Sequence, residues 1–204
     1  MQKNGVRTKK DFDPNSYFTV LTHLTLKAGY TLDFVYHYID HFGGNPCLYA
    51  RMLEGKPLGS FTEYRTWKEK NRLRSFLIAD GSPDGFFQLA VFDRLAGQFY
   101  LYWHANYNDL RLLTTPAEIE ELISEVEGED FGAKFTAAQT AGLRTIESAP
   151  TVEVLDEQAS VTYCIFTKWG GLARLKDSYR RLPPHLLIGS ELLSEVKYNC
   201  RVRY

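Results

Sequence analysis

Residues 86–113, FFQLAVFDRLAGQFYLYWHANYNDLRLL, constrain the fold more than any other stretch of the chain. They hold two aromatic runs, 86–92 and 99–105, divided by a short break and followed directly by a helix start. In the second run Phe99, Leu101, Trp103 and Ala105 alternate with Tyr100, Tyr102, His104 and Asn106. That period of two predicts a strand with an apolar face toward a core and a second face of ring hydroxyls and an imidazole. Together with residues 73–79, the two runs predict three consecutive strands, joined by residues 80–85 and 93–98. Connections this short force antiparallel neighbours, because a parallel crossover needs about a dozen residues or more.

Similar grammar recurs on either side. Residues 31–52 read as a hairpin: Leu32, Phe34, Tyr36 and Tyr38 alternate with Asp33, Val35, His37 and Ile39, and Gly43, Gly44, Asn45 and Pro46 supply the connection. Residues 17–26 form an earlier element of either type, ended by a turn at 27–30. Ser60 with Glu63 predicts a capped helix to about Asn71. Thr115, Pro116 and Glu118 supply the strongest helix start in the chain, with Ile119, Leu122, Ile123 and Val126 as its apolar stripe. A further helix is expected over 136–147, a hairpin from 151–155 and 160–167, an irregular basic segment from Trp169 to the Pro183-Pro184 pair, and a terminal strand over 195–204. The expected fold is α+β, one or two antiparallel sheets covered on one side by the helices near Ser60, Thr115 and Thr136.

A chain of 204 residues can bury an ample core and falls within single-domain size. We expect a flexible basic arm over 1–12 and one domain over 13–204, with 128–135 as the point where two sub-lobes would divide. With 44% hydrophobic and 24% charged residues, the chain is not of disordered type. No apolar run follows the basic N-terminus and none approaches a membrane span, so neither secretion nor membrane insertion is expected. Cys47, Cys164 and Cys200 are odd in number, widely spaced and without C-x-x-C spacing, which argues against a disulfide framework and places the protein in the cytoplasm.

The formal net charge of −1 gives no global pull toward nucleic acid or anionic membrane. Its distribution is uneven: residues 118–157 carry 11 acids against 2 Lys or Arg, whereas residues 168–204 carry 8 Lys or Arg against 3 acids. Internal complementarity, an orienting dipole or two solvated faces would all produce such asymmetry. The basic part interleaves Lys168, Arg174, Lys176, Arg180 and Arg181 with Trp169 and Tyr179, the cation and ring mixture that nucleic acid or a phosphorylated ligand requires and that protein interfaces also use.

Chemistry has few other footholds. His37 and His41 lie four apart, on one side of a helix or strand, but two imidazoles without a third ligand do not make a zinc site, so no metal is assigned. Asp11, Asp13 and Asn15 begin like a calcium loop, yet Ser16 stands where glycine is needed and Thr22 where the bidentate glutamate belongs; an Asp-Pro-Asn turn fits better. His104 as base with Asp109 as orienter is the candidate acid and base pair, set against a strand-end histidine bonded to backbone. No nucleophile elbow, phosphate loop, dinucleotide fingerprint or zinc-deaminase motif occurs, and no cofactor is implied.

The function these residues favour is a non-enzymatic binding or adaptor protein. Its binding residues would be Tyr100, Tyr102 and His104 on the aromatic strand, with Trp169, Arg174, Arg180 and Arg181 in the basic segment, and its partner another protein or a second copy of itself. Two alternatives are an enzyme of unfamiliar type built on the Tyr100, Tyr102, His104 and Asp109 set, and a nucleic-acid-associated protein using Arg174, Lys176, Arg180 and Arg181.

Overall fold

A computed structural model describes residues 12–39, 43–98 and 109–202. The fold is α+β with antiparallel sheets. In chain order the elements are β1 (Leu24–Leu26), β2 (Tyr30–Ile39), β3 (Gly43–Met52), α1 (Phe61–Lys70), β4 (Leu77–Ala79), α2 (Pro83–Leu95), β5 (Arg111–Leu113), α3 (Pro116–Gly128), α4 (Ala137–Thr145), β6 (Thr151–Val154), β7 (Gln158–Thr167), β8 (Gly171–Arg180) and β9 (Leu187–Lys197). Short 3-10 turns occupy Pro14–Thr19 and Leu73–Phe76.

The expected hairpin is β2 with β3, in register from Tyr30 opposite Met52 to Ile39 opposite Gly43. Gly43 to Pro46 belong to β3 itself, so they are not its connection. Asp13 and Asn15 form a turn, as the sequence suggested. Asp13 Oδ1 accepts from the Asn15 backbone N at 2.9 Å, and Asn15 Oδ1 accepts from the Leu32 N at 2.9 Å, which ties the first turn to β2. α1 starts on Ser60, whose hydroxyl accepts from the Glu63 N; the Glu63 carboxylate reaches back one residue further, to the Gly59 N at 2.8 Å.

The largest correction concerns residues 86–92, which form helix α2 instead of a strand. Their aromatic and β-branched composition suits a sheet, but the segment begins with a strong helix signal. Ser82 Oγ accepts from the Gly85 N at 3.0 Å, Pro83 takes the first helical position and Asp84 the first turn. Asp80 Oδ1 accepts from both the Ser82 N and its hydroxyl, and folds the entry so tightly that a Cβ on Gly85 would meet that oxygen at 2.4 Å. Gly85, Phe86, Leu89, Ala90, Phe92 and Ala96 are buried along one stripe of helical period. The second aromatic run, with Tyr100, Tyr102 and His104, lies outside the described residues. Residues 73–79 are also only partly strand, since Leu73–Phe76 is a 3-10 turn.

The main sheet has five strands: β8 pairs with β7 on one side and β9 on the other, and the far edge of β7 is shared by β6 and β5. β6 with β7 is the expected hairpin. The basic segment expected to be irregular is strand β8, paired to β7 without a shift and to β9 with register shifts at Arg174/Leu175 and Ser178/Tyr179. It enters through Gly171 at φ 90°, where a Cβ would strike the Val196 carbonyl at 2.1 Å. The last strand is Leu187–Lys197, so it overlaps the expected 195–204 only at its end.

Register divides the residues of this sheet between two faces. Ala159, Val161, Tyr163, Leu175 and Tyr179 join α2 and the hairpin in one core. Cys164, Phe166, Leu172 and Val196 join α3 and α4 in a second. The α3 stripe is the expected one, and both α3 and α4 begin with full capping boxes on Thr115 and Thr136. Fully burying one side chain such as Phe86 contributes about 2 kcal/mol. Among the described residues, no helix is long and apolar enough to cross a membrane.

Candidate functional site

Alternation along β8 sets its neighbours apart. Leu175, Asp177 and Tyr179 lie across from Tyr163, Val161 and Ala159 and point toward α2; Arg174, Lys176, Ser178 and Arg180 point the other way, across from Cys164, Thr162, Ser160 and Gln158. The apolar core beneath α3 and α4 stops at Cys164 and Leu172. Beyond it this face carries cations and hydroxyls. Arg174 and Lys176 are half-buried and Arg180 is exposed. Thr162, opposite Lys176, is 8% exposed, as expected where a lysine stem lies along its neighbour and the ammonium stays in water. Ser160 and Ser178 hydroxyls are 3.3 Å apart. Alternate residues of a strand are about 7 Å apart, so Arg174, Lys176 and Arg180 form a row roughly 20 Å long.

None of these three cations makes an ion pair among the described residues, although exposed Glu191 on β9 lies directly opposite Lys176 and exposed Glu153 stands on β6, beyond β7. The acidic region takes up other partners: Glu120 binds Arg144 through two bonds of 2.7 and 2.8 Å, Glu125 binds Arg111, Glu129 binds Lys168 at 2.6 Å, and Asp156 lies 3.9 Å from Arg181. Internal complementarity therefore accounts for Lys168 and Arg181 and leaves the β8 row without an ion pair among the described residues.

The expected basic set is thus not one patch. Arg174 and Arg180 share a face, Arg181 turns to Asp156, and Trp169 sits beyond the opposite end of β8, 42% exposed, on the rim of a 460 Å³ cavity. Asp109 is half-buried, and its proposed partner His104 lies outside the described residues. His37 stacks face to face on Phe61, with ring centres 3.9 Å apart, so its imidazole packs α1 onto the hairpin; His41 lies outside the described residues. No group of three or more potential metal ligands occurs among the described residues.

Two polar clusters escaped the sequence reading. On the α2 side, Arg94 Nε donates to the Tyr163 hydroxyl at 2.7 Å and its Nη2 to both oxygens of Asp177, at 3.0 and 2.8 Å; the Tyr163 hydroxyl also donates to Asp177. Beside it Arg74 pairs with Asp93, which also accepts from the Tyr179 hydroxyl at 3.4 Å, and the Arg74 guanidinium lies 4.9 Å over the Tyr179 ring. Burial pushes Asp93 up to about 6 against the pull of Arg74, and burial also raises both phenols. Each carboxylate and phenol here is engaged by a neighbour, so the cluster locks α2 to the sheet.

The second cluster is Ser82, Asp80 and His23. His23 Nδ1 lies 2.7 Å from Asp80 Oδ2, while the Ser82 hydroxyl donates to Asp80 Oδ1 at 2.6 Å. A hydrolytic triad needs the imidazole beside the hydroxyl. Here the carboxylate stands between them and the Ser82 oxygen caps α2, so the set anchors the helix. Hydrogen bonds from Ser82 and then His23 hold Asp80 down to about 2, and Asp80 in turn raises His23. Neither cluster had a signal in local spacing, because Arg94 meets Asp177 across 83 residues and His23 meets Asp80 across 57. The chain matches no protein-family model, no curated protein and no solved structure.

Proposed function

We propose that this is a non-enzymatic binding protein that receives an acidic, extended segment of a partner protein along β8. The observation that carries the reading is the row of Arg174, Lys176 and Arg180, directed to one face and without ion pairs among the described residues. An extended polypeptide repeats its side chains on one face at the same spacing of about 7 Å as the row itself. Acidic residues two apart would meet Arg174 and Lys176, and one four residues further along would meet Arg180, with the Ser178 hydroxyl between Lys176 and Arg180. Three free cysteines, two of them buried, support a reducing cytoplasm as the place where it acts.

Polyglutamate is a direct probe. The protein should be retained on immobilised polyglutamate at low salt and released as salt rises, and the triple substitution Arg174→Ala, Lys176→Ala, Arg180→Ala should abolish retention. Retention on single-stranded RNA but not on polyglutamate would move the reading to nucleic acid. Absence of retention on both at low salt would remove it.

A further inference from the structure

The cavity at the other end of β8 lies apart from the row just described. Its wall is built from the entry to α4, the turn between β7 and β8, and the chain leaving β9. Long-range bonds fix that wall: Ala133 N donates to the Cys200 carbonyl at 2.7 Å, Cys200 N to the Lys168 carbonyl at 2.9 Å, the Tyr198 hydroxyl to the Ala133 carbonyl at 2.6 Å, and Gln139 Nε2 to the Lys197 carbonyl at 2.7 Å. A concavity held this way is present before any ligand arrives. Its 460 Å³ falls in the range that holds small ligands, roughly 300 to 1,000 Å³.

Lys134, whose ammonium also donates to the neutral Glu129 carbonyl, Lys197 and Arg201 line it, against a single acid, Glu195. Glu195 is already engaged by Lys197 at 3.2 Å. Three positive charges against one negative leave an excess of two, which suits a dianion. Arg201 holds a left-handed backbone at φ 61°, uncommon for any residue but glycine, with its N–H donated to Asn199 Oδ1 at 2.8 Å. Trp169 adds a half-exposed ring on which a planar group can stack.

We infer that this cavity binds a phosphate monoester carried on a planar ring system, of the size of a nucleoside monophosphate. The phosphate takes the place among Lys134, Lys197 and Arg201, and the ring lies against Trp169. This site is independent of the acidic segment proposed for β8.

Adenosine 5′-monophosphate, adenosine and inorganic phosphate serve as probes in isothermal titration calorimetry of the whole chain. The nucleotide should bind saturably and more tightly than either fragment. The double substitution Lys197→Ala, Arg201→Ala and the separate substitution Trp169→Ala should each weaken it at least tenfold, about 1.4 kcal/mol. A control with Arg174→Ala and Lys176→Ala should bind as the unaltered protein does. Lys197 is 81% exposed, so its removal leaves the fold intact, which circular dichroism checks. No saturable heat at millimolar nucleotide would overturn the inference, as would affinity unchanged in both cavity variants. Affinity lost in the β8 control would overturn it too. Inorganic phosphate binding as tightly as the nucleotide, with Trp169→Ala silent, would overturn the ring as part of the ligand.

Discussion

The two faces of β8 carry similar residue types to opposite ends. Toward α2, Asp177 is 1% exposed and meets a guanidinium and a phenol, and Tyr179 is buried beside a second arginine and carboxylate. On the other face, Arg174, Lys176 and Arg180 make no ion pair among the described residues, although Glu191 lies opposite Lys176. Burial explains the difference. A charge removed from water persists only when paired and hydrogen-bonded, whereas a charge left in water can stay single at little cost. Matched charge on this strand marks structure, and the unpaired charge is the surface we propose for binding.

That contrast can be broken most forcefully from the α2 side. Phe86→Ala opens a void under a wholly buried ring and should cost about 4 kcal/mol in chemical denaturation; a loss near zero would mean that α2 does not plug the core between hairpin and sheet. Asp177→Ala leaves Arg94 and Tyr163 without their shared acceptor and should cost about 3 kcal/mol. The adjacent Lys176→Ala should change stability by less than about 0.5 kcal/mol. Equal costs at positions 176 and 177 would erase the distinction between the faces.

Smaller effects sharpen the account of how α2 is anchored. Ser82→Ala removes the cap that accepts from Gly85 and should cost about 1 kcal/mol. The neighbouring pair is read by pH. Asp80 raises the His23 pKa above its ordinary 6.5, so the ion pair stabilises the fold below that value and its contribution fades as pH rises through the elevated folded value. At the acid end, Asp80 is held down to about 2, so its contribution is full above the ordinary 3.8 and is lost as pH falls from there through about 2. Nuclear magnetic resonance titration of the His23 ring should show the elevated pKa, returning toward 6.5 in Asp80→Asn; an unchanged midpoint would refute the pairing.

What could be read from the sequence was whatever is written in local spacing. The start of α3 announces itself in Thr115, Pro116 and Glu118, and the hairpins β2 with β3 and β6 with β7 in their strand pattern, although the turn signal at Gly43 to Pro46 falls inside β3. α2 carries an equivalent start in Ser82, Pro83 and Asp84, but Phe86, Phe87, Val91 and Phe92 have the composition of a strand, and tertiary burial of a helical stripe decided the matter. β8 was hidden for a different reason. A strand whose outward residues are Arg174, Lys176, Ser178 and Arg180 offers no clean apolar alternation, and its inward Asp177 is accounted for only by Arg94 on a helix far away in sequence. β9 is exposed almost throughout, so it lacks even an apolar face to reveal it. Candidate binding residues were legible as composition; their separation into a cation row and a distant cavity rim was set by register.

The central claim is that the outward cations of β8 are spare for folding and required for binding. It is tested most directly by measuring the stability of the Arg174→Ala, Lys176→Ala, Arg180→Ala protein and its retention on polyglutamate in the same buffer. We expect stability unchanged to within about 1 kcal/mol and retention abolished. A protein destabilised by several kcal/mol while still binding polyglutamate as before would contradict the account.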